Sequence, residues 1–468
     1  MNRTLSELKE FLNFRNQASG RFCVLRHLAY FKFRLPSCIC FVCHSLLLFN
    51  LAVPCLGQYH KESSDLLSRL KAINGVYVKK IDPLPGFMEG YEIALVQPVD
   101  HKNPNGSKFM QRIFLSHRDY AKPVVLETEG YGVAWPKERE MAKILEANQI
   151  IVEHRYYESS KPKPLDWKYL TSWQAASDYH RIIEIFKKIY PSKWVTTGRS
   201  KSGMAALFHR TFYPGDVDAT IVYAAPIMIG PIDPRIEKFM NSVGDAACRE
   251  KIRQFQRVCL KRRTELLPLL KDLSEKQRLI FPCNLECVFE WAVIEFPYSF
   301  WSGNHRSIEI PQLDASKEQL FDFLNKVNSF SNITLAKMKF NAALYYQQYT
   351  ELGYYGYTTS HLEGLLQAVK KPHFSFYVPK EAQNAAFNGE VMPLVLSYLQ
   401  NEGNNIIYVY GEFDIWTSCE VELSGKTNAI KLKLKGKGHQ FDIMDFPANE
   451  KEKIFTSLEN WLQIEIER

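Results

Sequence analysis

Six residues, Gly198, Arg199, Ser200, Lys201, Ser202 and Gly203, stand between a β-branched run and an apolar helical pattern in "KWVTTGRSKSGMAALFHRTFYPG". Two glycines and a serine at a strand-to-helix junction are what a nucleophile elbow needs, a strained turn that lifts a hydroxyl above a parallel sheet. The usual spacing is G-x-S-x-G; here it reads G-x-S-x-S, with the second glycine one place late. A serine hydroxyl is a poor nucleophile until a base takes its proton, and the base needs an acid to orient it. Downstream, Asp414 follows the apolar run "IIYVYG" by three residues, and His439 follows "IKLKLKGKG". Ser200, Asp414 and His439, each just beyond the end of a strand and in that chain order, form a candidate catalytic triad. For the developing oxyanion, Lys201 offers its backbone N–H, and "ETEGYGV" after another strand offers a second donor at Gly130 or Tyr131. Tyr156 and Tyr157, at the next strand end, could add a phenol.

The elements that would position these residues alternate. "YEIALVQPVDH" and "KFMQRIFLSHRD" flank "KNPNG" and predict an antiparallel hairpin. "KPVVLETEG" (122–130) and "NQIIVEHRYY" (148–157) are short apolar runs of the buried parallel kind. A helix is expected over 135–147, another over 173–190 ended by Pro191, and a last one in "EKEKIFTSLENWLQIEIE". Strands alternating with helices imply a parallel α/β sheet. From about residue 232 to 375 the pattern is charged, aromatic and helical with no clear strand. An insertion of roughly 140 residues between two sheet strands predicts a lid. The expected division is residues 1–57 as leader, 58–231 and 376–468 as two parts of one sheet domain, and 232–375 as the lid.

Composition sets the class. The chain has 468 residues, 46% apolar and 13% aromatic, enough to bury a large core. Its formal net charge is +8, but in residues 1–57 seven basic residues stand against only Glu7 and Glu10. That leader runs into the uncharged "CICFVCHSLLLFNLAVPCLGQ", the pattern of a secretory signal. Cleavage near Gln58 would leave a secreted or periplasmic protein with no stable membrane insertion; a retained signal or lipid anchor is the alternative. Without the leader the charge is small, so nucleic acid is not an expected partner. "KLKLKGKGH" alternates lysine with leucine and predicts an edge strand with one wet face. Five of the ten cysteines lie in the leader. The other five, Cys248, Cys259, Cys283, Cys287 and Cys419, allow one or two disulfides, with no pairing legible. No metal-ligand spacing stands out, and neither a metal nor a cofactor is expected.

The stretches "VEHRYYESSKP", "TGRSKSG", "VFEWAVIEFPYSF", "YYQQYTELGYYGY", "YGEFDIWT" and "KGHQFD" resemble the prolyl carboxypeptidase and dipeptidyl-peptidase serine family. They are more fully similar to its sister family of secreted tripeptidyl aminopeptidases, from about Tyr91 to the C-terminus. The chain departs from those relatives at Ser202, where they carry glycine, and at Tyr349, where cysteine is common. The resemblance implies an α/β-hydrolase sheet with an inserted helical lid and exopeptidase action on small peptides. Release of short peptides, tripeptides or dipeptides, from free N-termini is the expectation; a prolyl carboxypeptidase-like C-terminal exopeptidase, an esterase or lipase on the same scaffold, and a noncatalytic binding protein are the alternatives. A lid admits a chain end and excludes a folded loop, and a buried carboxylate could hold the substrate ammonium. Glu127, Glu129 and Glu351 are the candidates for that carboxylate.

Overall fold

The computed structural model describes residues 65–468, so the expected leader lies outside the described residues. Nine strands form one sheet: β1 (Val76–Ile81), β2 (Glu89–Pro98), β3 (Lys108–His117), β4 (Val124–Glu127), β5 (Asn148–Val152), β6 (Trp194–Arg199), β7 (Ala219–Tyr223), β8 (Ile406–Gly411) and β9 (Ile430–Leu434). Their order is β1-β2-β3-β5-β4-β6-β7-β8-β9. The hairpin β2–β3 pairs Glu89 with His117 through Pro98 with Lys108. From β5 to β9 every pairing is parallel. This is an α/β-hydrolase sheet.

The central strands are buried on both faces, and their side chains alternate between two cores with the period of a pleated strand. On β8, Ile406, Tyr408 and Tyr410 join one core, and Ile407 and Val409 the other. The second core is closed by α1 (Glu140–Ile144) and by the C-terminal helix, whose Ile454 and Leu458 enter it. The first core takes α3 (Lys201–Phe212), against which α2 (Ser172–Phe186) packs, and continues without a break into the insertion.

That insertion lies between β7 and β8. It runs through α4 (Pro234–Met240), α5 (Ala246–Lys261), α6 (Arg263–Gln277), α7 (Leu285–Ser302), α8 (Lys317–Val327), α9 (Leu335–Phe340) and α10 (Ala342–Gln347) before α11 (Val391–Asn401) returns to the sheet. Helix α7 begins at Asn284, whose side chain accepts the Cys287 N–H at 2.9 Å, and a Cys283–Cys287 disulfide closes the same turn. Cys248, Cys259 and Cys419 are buried free thiols. After α10 a single π-helical turn (348–352) ends at Gly353, with φ +82°. A Cβ on Gly353 would lie 2.1 Å from the Gly230 carbonyl oxygen, so only glycine lets this turn rest on the segment leaving β7.

The helix expected over 135–147 shrinks to α1. Its first half is held extended by Gln149, whose amide donates to the Lys137 carbonyl (3.1 Å) and accepts the Arg139 N–H (2.7 Å). By contrast, β9 is the edge strand its alternation suggests, with Leu432 and Leu434 buried and Lys433 exposed. Among the described residues no helix is long and apolar enough to cross a membrane.

Candidate active site

Ser200 caps α3 directly after β6, with φ 59° and ψ −128°. A non-glycine residue holds such a conformation only when its surroundings fix it. Here the Ser200 N–H donates to the Tyr223 carbonyl (2.8 Å), and its own carbonyl accepts from Met204 (2.9 Å). The late glycine of the motif is a steric requirement. A Cβ at Gly203 would come 2.8 Å from the Ala225 Cβ, and one at Gly198 would come 2.4 Å from the Ser202 backbone. At position 202 a side chain fits and is used: Ser202 Oγ accepts the Gly130 N–H at 2.9 Å.

Beyond β8, Asp414 is fully buried and its Oδ2 lies 2.7 Å from His439 Nδ1. Its other oxygen accepts from Ser302 Oγ (3.1 Å), at the end of α7, and the Ser302 carbonyl accepts the His439 N–H (2.9 Å). The insertion therefore grips both Asp414 and His439. Gly438 and Gly411 permit this packing, since a Cβ on either would lie within 2.5 Å of a backbone oxygen. From the other side Arg199, next to Ser200, donates to the His439 carbonyl (3.2 Å) and pairs with Asp442 (3.0 Å). The elbow and the histidine loop are thus fastened to each other. With Nδ1 facing a carboxylate, Nε2 is the nitrogen left to act as a base.

Gly130 and Tyr131 occupy different positions around the elbow. The Gly130 N–H is taken by Ser202, which leaves it no free proton for an oxyanion. The Tyr131 hydroxyl lies alongside the Ser200 side chain and the Lys201 N–H; burial raises its pKa, and these two donors partly offset the rise. Lys201 turns its side chain inward, donating from Nζ to the Gly130 carbonyl (2.7 Å), with the ammonium 5.3 Å from the Tyr157 ring centroid. Burial pushes its pKa down to about 7, against the attraction of Glu351 and Glu129. Tyr157 thus borders the site. Tyr156 points elsewhere, its hydroxyl donating to the Asp166 carbonyl while its ring packs on Trp167.

Two of the three carboxylates proposed from sequence, Glu129 and Glu351, are engaged within the protein. Glu129 pairs with Arg139 (2.6 Å) and accepts from Ser202 Oγ (3.3 Å). Glu351 accepts both the N–H and the hydroxyl of Ser172 at 2.8 Å, fixing the start of α2. Glu127 opens on a cavity of about 330 Å³ behind the elbow, lined also by Arg139, Glu140, Arg199 and Gln440. Burial raises its pKa to about 7, with Arg139 pulling it down and Glu129 pushing it up.

A raised carboxylate pKa means that between about pH 4.5 and 7 the folded chain holds a proton the unfolded chain has released. Stability attributable to Glu127 should therefore fall as pH rises through that window and stay low above it. Glu127→Gln is expected to raise the free energy of unfolding at pH 8 by an amount on the order of 3 kcal/mol, read as a higher melting temperature, and to leave the melting temperature unchanged at pH 4.5. Equal melting temperatures at pH 8 would show that the buried charge carries no penalty.

Sequence reasoning missed one residue at this site. Ser302 lies at the end of a helix remote in sequence, and nothing in its own neighbourhood announces a contact with Asp414.

A family model described as PS-10 peptidase S37 matches residues 60–465. The chain belongs to this family of serine peptidases. Among curated relatives of this S37 peptidase, it is 32% identical over 413 residues to the prolyl tri/tetrapeptidyl aminopeptidase of Streptomyces mobaraensis, covering 85% of each chain. Over 170 residues it is 27% identical to the human (Homo sapiens) lysosomal Pro-X carboxypeptidase, covering 31% of this chain and 34% of that one. Among solved structures, a proline iminopeptidase from Mycobacterium smegmatis aligns over 79% of this chain and 97% of its own, at 9% identity and a TM-score of 0.36. A likeness of that size adds nothing to the fold already read from the sheet.

Proposed function

We propose that this S37 peptidase releases short peptides, three or four residues long, from the free N-termini of peptide substrates through an acyl-enzyme on Ser200. The observation that carries the reading is the Asp414–His439 pair, 2.7 Å apart and fastened beside the strained Ser200 turn by Arg199 and Ser302. Ser200 Oγ attacks the scissile carbonyl while His439 Nε2 takes its proton. Asp414 fixes the imidazole tautomer and faces the cation that forms. His439 then protonates the leaving amine, and water, deprotonated by the same nitrogen, releases the N-terminal fragment. The N-terminal polarity and the fragment length follow the S. mobaraensis relative, which aligns along most of the chain. The uncharged run behind a basic leader supports export before the enzyme acts.

In this reading the oxyanion takes the Lys201 N–H and the Tyr131 hydroxyl, while Gly130 holds Lys201 and Ser202 in place. Tyr131→Phe removes one donor and nothing from the triad. It should lower kcat by about 10²–10³ with little change in KM, the usual cost of losing an oxyanion donor. A kcat within threefold of wild type would return the second donor to a backbone N–H.

The proposal as a whole is tested by mass spectrometry of the products from a ten-residue peptide with its N-terminus free or acetylated. Tri- or tetrapeptides released from the free form, with the acetylated form resistant, are expected. Trimming of either form from the C-terminus would replace this reading with that of a C-terminal exopeptidase.

A further inference from the structure

The stripe of α5 that carries Arg249, Arg253 and Arg257 lines a cavity of about 400 Å³ in the insertion. Tyr298 and Trp301 of α7 give it an aromatic wall, and Thr358 and His361 also line it. No residue of the proposed triad, of the elbow or of the Gly130–Tyr131 turn takes part. The charge of its lining sets this cavity apart. The cavity behind the elbow mixes three bases with four acids, whereas this one presents three arginines and, among the described residues, no carboxylate.

The arginines follow one another at intervals of four residues, one helical turn and about 6 Å along the axis. Like charges at that spacing repel and weaken a helix. Acids outside the lining relieve this only in part. Glu250 meets Arg257 at 3.1 Å and Arg253 loosely, at 3.8 Å. Arg249 directs Nη1 to the carbonyls of Ser242, Val243 and Gly244 at 2.9 to 3.2 Å. Among the described residues no carboxylate lies within ion-pair distance of it. Exposed Glu237 accepts the Thr358 hydroxyl at 3.2 Å instead.

His361 adds no charge of its own. Its Nε2 donates to Gln256 Oε1 at 2.8 Å, and burial, with Arg257 and Arg253 beside it, pushes its pKa down to about 4. Arg253 and Arg257 keep 38% and 33% of their side-chain surface exposed, so a solute can reach them. Each guanidinium is a planar fork of donors that matches paired oxygens on a carboxylate or a phosphate. A ligand with several such oxygens can meet two neighbouring arginines at once.

We propose that this cavity holds a multivalent oxyanion, bearing phosphate or carboxylate groups, on the guanidiniums of Arg249, Arg253 and Arg257. The site stands apart from the reaction at Ser200 and does not depend on how that reaction is assigned.

The test is isothermal titration calorimetry of the full chain with inorganic pyrophosphate and with citrate, at one fixed ionic strength. Wild type should bind at one site with a Kd of roughly 1 mM or tighter. It should bind equally well after a fluorophosphonate has blocked its nucleophile. Arg253→Gln and Arg257→Gln should each weaken binding by about tenfold or more, a tenfold change being 1.4 kcal/mol. Arg253 makes one long hydrogen bond, to Asn241 at 3.5 Å, so its replacement should leave the fold intact. Either order of the two probes supports the site and names its preferred group, phosphate or carboxylate. Absence of saturable binding by both probes overturns the proposal, as does binding unchanged in both variants. Binding lost on fluorophosphonate treatment would put the anion at the catalytic groups and overturn it too.

Discussion

Ser200→Ala is expected to abolish covalent labelling by a fluorophosphonate and to lower kcat by at least about 10⁴-fold, the scale on which loss of a triad nucleophile is felt. The protein should remain folded, because what holds the elbow is backbone: the Ser200 N–H on the Tyr223 carbonyl and the close approach of Gly198 to Ser202. Ser202 is the only other hydroxyl in the turn, and its Oγ is already bonded to the Gly130 N–H and to Glu129. Labelling that persists in Ser200→Ala, or that maps to Ser202, would displace the nucleophile.

Asp414→Asn should cost about 10⁴ in kcat without unfolding the protein. Asparagine has the same shape, but to keep its 2.7 Å contact with His439 Nδ1 it would present either an amide N–H to the ring or a neutral oxygen. The first forces the wrong tautomer, and the second withdraws the charge that stabilises the imidazolium. His439→Ala should be as damaging, and the double variant little worse than either single one, because base and orienter act as a unit. An Asp414→Asn enzyme of wild-type rate would mean that another acid orients the histidine.

The three residues proposed as a triad could be picked out in the sequence because each is tied to a local pattern. The Gly198–Gly203 knot marks the end of one strand, and Asp414 and His439 follow runs whose β-branched or alternating residues declare the next two. Partners across the sheet leave no such mark. The Gly130 N–H could be seen as available only while its bond to Ser202 was unknown. Glu129 and Glu351 looked free for the same reason, since Arg139 and Ser172 meet them only in the folded chain. The shortened α1 is a similar case, where one glutamine side chain outweighs helical periodicity.

The central claim, that Ser200 is acylated by a short N-terminal fragment, can be read from the mass of the intermediate. In a set of decapeptides with free N-termini, a single ester linkage replaces successive peptide bonds, so that acylation outruns deacylation. After an acid quench the intact protein is weighed and the adduct is mapped. The account predicts an adduct only when the ester is the third or fourth linkage from the N-terminus, with the mass of that tri- or tetrapeptidyl group, on Ser200. An adduct formed chiefly from the ester nearest the C-terminus, or borne by any residue other than Ser200, would contradict it.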